Sequence, residues 1–362
     1  MKIETKSYSK PFEFPLCLAP MVGLSHVVLR KVIFDYMPMD AETFWPTEML
    51  NSRRVPHEKL GYTAETLLFE GEKNLVPQIL GNEKDAIQKT IHKMIHEWSD
   101  AADAVLGIDI NMGCPVQKAL KHNYGVALMG DVDYAASVVD FAATASKKPV
   151  SVKLRAVGSE KSIPELIHFV EKLKNAGASW ITLHPRTAAQ KRKGSADWNQ
   201  ITELKKVLNI PIVGNGDVQT IDDVIAMQKQ TGCDVVMSGR GLAARPWMVW
   251  QLGDKLGLTP PAHLQNRKVP TTDYEEGAEY GISLLNYIKW TNYYFGEKVH
   301  MKPDLMIRKI LFYVKTTHVW LEFGHTLMTE VSRAKSLSDM EARVENFFKN
   351  PQRMFAYTEL RQ

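Results

Sequence analysis

Cysteine is scarce: the 362 residues hold three, Cys17, Cys114 and Cys233, far apart in the chain. An odd number so spaced makes neither a disulfide framework nor a metal-ligand pattern, so no metal is expected. Long apolar runs are missing too. No stretch approaches the roughly 18 residues of a membrane span. The opening Met1-Lys2-Ile3-Glu4-Thr5-Lys6 lacks the apolar core of a secretory leader. The expected address is therefore the cytoplasm, with no membrane partner. Low-complexity tracts are also lacking. Charge is nearly balanced, with 45 Lys and Arg against 41 Asp and Glu, so the net value excludes little and the placement of cations matters more.

What is present is alternation. Eight apolar segments recur, Leu16–Ala19, Ala41–Trp45, Leu75–Leu80, Val105–Ile110, Val150–Leu154, Trp180–Leu183, Ile210–Val213 and Asp234–Met237. Helical periods lie between most of them. Ile87, Ile91, Met94, Ile95 and Trp98 line one face after the third segment. Ser162-x-x-Glu165 forms a capping box after the fifth, and Thr220 caps a helix after the seventh. The second unit is the least regular, with Gly61–Gly71 set apart as an excursion. Eight strand–helix units match an α/β (β/α)8 TIM barrel over residues 1–257, with a doubly wound open sheet as the rival. From 258 the pattern changes to a C-terminal all-α helical domain, 258–362. Thr272-x-x-Glu275 opens a helix with Ala278, Ile282, Leu285 and Ile288 as its stripe. A second is expected from about Pro303 to Phe323, ending near Gly324, and Ser338-x-x-Glu341 opens a last one.

Strand parity then sorts side chains between the barrel lumen and the helix layer. Ser151, Lys153 and Arg155 share the inward parity of the fifth strand, and His184 and Arg186 end that of the sixth. Gln78 is a polar residue in another apolar strand, and Asn111 shares parity with Asp109. Polar groups inside a barrel require partners, and so many converging on one mouth suggest a polar, anionic ligand. Gly214-Asn215-Gly216-Asp217 and Ser238-Gly239-Arg240-Gly241 follow the seventh and eighth strands, where this fold commonly binds phosphate. Glycines let backbone N–H groups approach the phosphate, and Arg240 adds a bidentate contact. Cations gather on the same face: Arg53, Arg54 and Lys59; Lys118, Lys121 and His122; Arg186, Lys191, Arg192 and Lys193. Lys298, Lys302, Arg308, Lys309 and Lys315 form a second group in the helical region. A basic rim around a small mouth suits a large polyanion with one reactive group.

Asp109-Ile110-Asn111-Met112-Gly113-Cys114-Pro115 ends the fourth strand at that mouth. Cys17 and Cys233 lie in apolar strand surroundings and read as core. Cys114 precedes a turn-fixing proline, and its thiol can donate a proton or attack as a nucleophile.

At these residues the sequence resembles the tRNA-dihydrouridine synthase family of FMN-dependent enzymes. The resemblance runs through Ala19-Pro20-Met21, Pro77-Gln78-Ile79, Asn111-Met112-Gly113-Cys114-Pro115 and Val152-Lys153-Leu154-Arg155. It continues through His184-Pro185-Arg186-Thr187, Gly194-Ser195-Ala196-Asp197-Trp198 and the two glycine loops. It implies an FMN across the mouth, touched by Pro20 and Met21, with Gln78 and Lys153 at its polar ring edge and His184 toward its phosphate. Asn215, Gly216, Asp217, Gly239 and Arg240 would hold the ribityl phosphate. NAD(P)H would reduce the FMN, which passes hydride to uracil C6 while Cys114 protonates C5. Asn111 would hold the flipped-out uracil, and tRNA would meet Arg186 and the basic rim. A monomer is expected. The runner-up is an FMN barrel acting on a free small molecule, of dihydroorotate or enoate type. The chain departs from the family pattern at Tyr124, Pro185, Ala188 and Arg192, which bears on the choice of uridine.

Overall fold

The computed structural model describes residues 13–98, 104–156, 163–190 and 193–359. Eight strands form one sheet: β1 (Leu16–Leu18), β2 (Trp45–Asn51), β3 (Leu75–Leu80), β4 (Ile108–Met112), β5 (Val150–Arg155), β6 (Ala178–His184), β7 (Ile212–Asn215) and β8 (Val235–Ser238). All seven pairings are parallel, in the order β1-β8-β7-β6-β5-β4-β3-β2. The sheet curls until its two ends meet, and there the Thr43 hydroxyl donates to the Leu16 carbonyl at 2.8 Å. This is the TIM barrel, and the open-sheet rival falls away.

The helices of the barrel are α1 (Val27–Phe34), α2 (Lys84–His96), α3 (Gln117–Lys121), α4 (Val132–Ala145), α5 (Ile163–Asn175), α6 (Asn199–Val207), α7 (Ile221–Thr231), α8 (Arg240–Ala244) and α9 (Met248–Lys255). Ile87, Ile91 and Met94 are buried as the period required, and α7 has the Thr220 cap with Asp223 completing its box. Ser162 lies outside the described residues. The irregular second unit has no α-helix: β2 reaches β3 through residues 52–74 with a single 3-10 turn, Val55–His57. Arg30 of α1, fully buried, pins that excursion by donating to Glu72 from Nε at 2.5 Å and to the Leu67 carbonyl at 2.9 Å.

Two expected strand positions need correction. The second strand is not Ala41–Trp45 but starts at Trp45. Phe44 and Trp45 are core residues, so hydropathy marked the segment, but the ladder runs on through Thr47 and Glu48 with a register break between Pro46 and Met49. The fourth runs two residues past Ile110, so Asn111 lies within the strand, opposite Lys153 of β5.

The helical region holds α10 (Asp273–Thr291), a π-helical turn (Asn292–Lys298), α11 (Pro303–Thr317), α12 (Gly324–Ser332) and α13 (Leu337–Phe348). The Thr272–Glu275 box is present, but the stripe is rotated. Ala278 and Ile282 face outward, while Tyr280, Leu284, Tyr287 and Ile288 are buried. Gly277 and Gly281 set that face: a Cβ on them would fall 2.0 Å from the Gln352 carbonyl and 2.8 Å from the Phe348 ring. The second helix stops at Thr317, and Gly324 begins a helix rather than ending one. The last is capped by Ser336, not Ser338.

These helices share one core with the barrel. At the junction Glu276 of α10 accepts from Arg245 Nε at 3.1 Å, Gln251 Nε2 at 2.9 Å and Trp247 Nε1 at 3.3 Å. The Arg245 side chain is 1% exposed. Among the described residues no helix is long and apolar enough to cross a membrane, and no three His, Cys, Asp or Glu are grouped to hold a metal ion.

Removing one partner of a buried ion pair strands the other charge. Glu276→Ala is expected to destabilise the protein by about 3 to 5 kcal/mol, read by urea unfolding. Barrel and helices should unfold in one transition, and two separated transitions in the wild type would refute the shared core.

Candidate active site

The lumen has an apolar floor. Cys17, Ala19, Phe44, Val76, Trp180, Val213, Val235 and Met237 form a buried cluster of their own. Above it the inward side chains turn polar, and they satisfy one another across strands. The Ser151 hydroxyl donates to Asp109 Oδ1 at 2.6 Å, and Gln78 Nε2 donates to Asp109 Oδ2 at 2.7 Å. Asn111 Nδ2 donates to Gln78 Oε1 at 2.7 Å. Burial pushes the Asp109 carboxyl up to about 6, opposed by its bonds to Ser151 and Gln78 and by the Lys153 charge. Lys153 Nζ donates to Asn215 Oδ1 at 3.2 Å, and Asn215 Nδ2 to the Met237 carbonyl at 2.7 Å. Burial, then the Arg155 charge, push the Lys153 ammonium down to about 8, while Asp109 works the other way.

Asn111 also reaches the turn beyond its strand. Its Oδ1 accepts the backbone N–H of Gly113 at 3.1 Å and of Cys114 at 2.9 Å. The Cys114 carbonyl accepts from Val126 N at 3.1 Å. That contact needs Gly125 in the left-handed region, φ +59°, where a Cβ would sit 2.6 Å from the Cys114 carbonyl. Cys114 is 8% exposed and packs with Ala119 and Tyr124.

On the opposite side, the loops after β6, β7 and β8 are tied together. Arg186 Nη2 donates to both Asp217 oxygens, at 2.6 and 2.8 Å, and to the Gly194 carbonyl. Asp217 Oδ2 also accepts from Ala196 N at 2.6 Å. The Trp198 indole donates to the Gly216 carbonyl at 3.0 Å. Gly216 has φ +115°, and a Cβ there would fall 2.9 Å from His184 Cδ2. At Gly241 a Cβ would fall 2.3 Å from the Val218 carbonyl, so the two glycine loops lie directly against each other. Arg186 is 6% exposed. Its place is inside, as the parity of the sixth strand gave it, and it holds the Asp217 turn instead of standing free among the rim cations.

The β1–α1 loop completes the mouth. Met21 N donates to the Ser25 hydroxyl at 2.6 Å, and Gly23 N to Glu48 Oε2 at 2.8 Å. The Phe312 ring of α11 packs against Gly23, 2.9 Å from where a Cβ would be. Glu48, 3% exposed, is pushed up to about 7, chiefly by burial.

The strand C-termini thus carry Pro20, Met21, Gln78, Asn111, Cys114, Lys153, His184, Asn215, Gly216, Asp217, Gly239 and Arg240 on one end of the barrel. Lys302 and Arg308 are exposed on or beside α11, and Lys309 leans over the Phe295 ring at 5.3 Å. Lys191 and Arg192 lie outside the described residues. Asp109, Ser151 and Glu48 carry more of the site than sequence reasoning gave them. Parity alone pointed to the first two, and Glu48 lies past the expected end of the second strand.

A parallel barrel with a sealed floor, a polar belt above it and glycine loops after its last two strands defines a (β/α)8 protein with its site at the strand C-termini. The family model described as Dihydrouridine synthase (Dus) matches residues 17–347, and the chain belongs to that family. It is 30% identical over 235 residues to a protein of Synechocystis sp. named probable tRNA-dihydrouridine synthase 1, covering 65% of this chain and 63% of the relative. It is 34% identical over 236 residues to a probable tRNA-dihydrouridine synthase of Rhizobium leguminosarum, covering 64% and 69%. A relative of that name from Aquifex aeolicus is 32% identical over 245 residues, covering 66% and 72%.

A carboxyl raised by burial holds its proton in the folded protein at pH values where the unfolded chain has released it. Glu48 therefore withdraws stability as pH rises from about 4.5 through about 7. Glu48→Gln keeps an acceptor for Gly23 and is expected to flatten that slope, measured by urea unfolding across the window. Parallel slopes in both proteins would show Glu48 to be an ordinary carboxyl.

Proposed function

We propose that the protein reduces the C5=C6 bond of a uridine in tRNA, with FMN as hydride carrier, NAD(P)H as reductant and Cys114 as general acid. The observation that carries this reading is the hydrogen-bonded line from Asp109 through Gln78 and Asn111 to the backbone of Cys114. It fixes a thiol beside the polar belt that includes Lys153 and Asn215.

The residues present fit a flavin mononucleotide. Gln78 and Lys153 offer an amide and an ammonium to the carbonyl and N–H edge of the ring. Pro20 and Met21, partly exposed, offer apolar contact. Gly216, Gly239 and Arg240 suit the phosphate, and Asp217 is no obstacle because Arg186 neutralises it. When bound and reduced, FMN supplies the hydride taken by uracil C6.

This chain's own residues do the rest. Cys114 holds a proton at Sγ and delivers it to C5, so the double bond gains one hydrogen at each carbon. Asn111 keeps that turn in place, and one hydrogen of its amide remains for the uracil. His184, half-buried beside Gly216, faces the phosphate end. Residues 1–257 act as the catalytic barrel, and 258–362 as the tRNA platform of a cytoplasmic monomer. A uridine must leave its stack to reach a barrel mouth, and a basic surface holds the backbone meanwhile. Lys302 and Arg308 present that surface, and Lys309 adds charge near the mouth.

Cys114→Ala should keep flavin and tRNA affinity while reduction falls by roughly 100-fold or more. Unmodified tRNA with NADPH, followed by position-resolved mass spectrometry, reads this. Unchanged activity would remove Cys114 as the acid, and a wild type without bound flavin would remove the cofactor. Replacing Lys302, Arg308 and Lys309 together with Ala should weaken tRNA binding and lower its salt dependence by about three units of log–log slope at most. FMN affinity should not change. Unaltered tRNA affinity would place the RNA elsewhere.

A further inference from the structure

The geometry points to Asp109 as a positioning residue for the cofactor ring edge, the counter-charge that keeps Lys153 an ammonium while its second oxygen holds the Gln78 amide. The inference deepens the FMN reading and rests on it for the meaning of that edge.

Both charges sit in the lumen above an apolar floor, on neighbouring strands and with the same inward parity. Asp109 is 6% exposed, and its two oxygens accept from neutral groups, Ser151 and Gln78. Lys153 donates to a neutral amide, Asn215. Among the described residues neither charge makes a contact ion pair, so each depends on the field of the other across the lumen, where low polarisability lengthens electrostatic reach. The titratable surroundings of Lys153 come from three strands. Arg155 of β5 opposes its proton and Asp109 of β4 favours it, while burial keeps the Cys17 thiol of β1 neutral. Arg186 and Asp217, across the mouth, cancel each other. Without Asp109, burial and Arg155 would act on Lys153 against little opposition, and its proton would leave at a lower pH.

Asp109 also governs Gln78. A carboxylate accepts and cannot donate, so Gln78 must turn Nε2 toward it and Oε1 toward Asn111. Asp109→Asn keeps this line, because its carbonyl can still accept from Gln78 and its amide can donate to the Ser151 hydroxyl. That substitution removes the charge and little else, which makes it the discriminating variant.

The test is competitive acetylation of Lys153 across pH 6 to 10 by a limiting anhydride, read by peptide mass spectrometry, with FMN affinity by fluorescence quenching over the same range. The wild-type labelling midpoint should lie near 8. In Asp109→Asn it should fall by roughly one pH unit, and tight FMN binding should give way at a correspondingly lower pH. Ser151→Ala, which removes a hydrogen bond but no charge, should leave the midpoint above that of Asp109→Asn. Coincident midpoints in wild type and Asp109→Asn would overturn the proposal, whatever the flavin does. Lack of FMN binding by the wild type would instead sink the cofactor reading, and the labelling midpoints would still decide the counter-charge. If Asp109→Asn does not fold, Lys153→Met reports the same pair from its other side. The infrared carbonyl band of protonated Asp109 should then persist to a higher pH than in the wild type, and an unchanged band would equally overturn the idea.

Discussion

A sheet that closes on itself has an inside, and what its strands point inward can find partners only on other strands. This constraint shapes the whole molecule. Below, it is met by apolar packing around Trp180. Above, where the strands end, it is met by hydrogen bonds whose directions leave no choice. Asp109 can only accept, the backbone N–H of Cys114 can only donate, and the two amides between them are oriented from both ends. The thiol turn is therefore set by Gln78 of the neighbouring strand as much as by its own proline. Chemistry at a barrel mouth needs such preorganisation, since a side chain in the wrong rotamer loses its effect on a bound substrate.

Much of this was legible in the sequence. Alternation gave the barrel, because hydrophobic periods of two and 3.6 residues report directly on burial. Parity gave Gln78, Lys153 and Asn111. What escaped depended on three-dimensional neighbours. The second strand hid because Thr47 and Glu48 break its apolar pattern, and the charge of Glu48 is tolerated only because Gly23 comes to it from another loop. Helix α10 was rotated because glycine counts as neutral in any periodicity, yet Gly277 and Gly281 mark the tightest face of that helix. Parity turned Arg186 inward, but nothing local reveals that its partner is Asp217, 31 residues on.

The helical region is no tethered accessory. Tyr36 donates to Glu279 at 2.6 Å, the Trp290 indole to Asp35 at 2.9 Å, and Tyr313 to the Ala243 carbonyl at 2.9 Å. Phe312, on the helix that carries Arg308 and Lys309, touches the loop that carries Met21. The basic face of α11 and the mouth of the barrel thus stand at a fixed separation.

The stretch that follows α13 adds a matter of timing. The Phe355 carbonyl accepts from the fully buried Arg245, and the Gln219 carboxamide meets Trp320 and the Thr358 backbone. β1 is likewise left without its neighbour until β8 has been made. A ribosome emits these pieces in order, so the nascent barrel stays an open sheet until β8 is made, and Arg245 then waits 110 residues for the Phe355 carbonyl. A chaperone that shields one long open edge would serve this protein during translation more than after it.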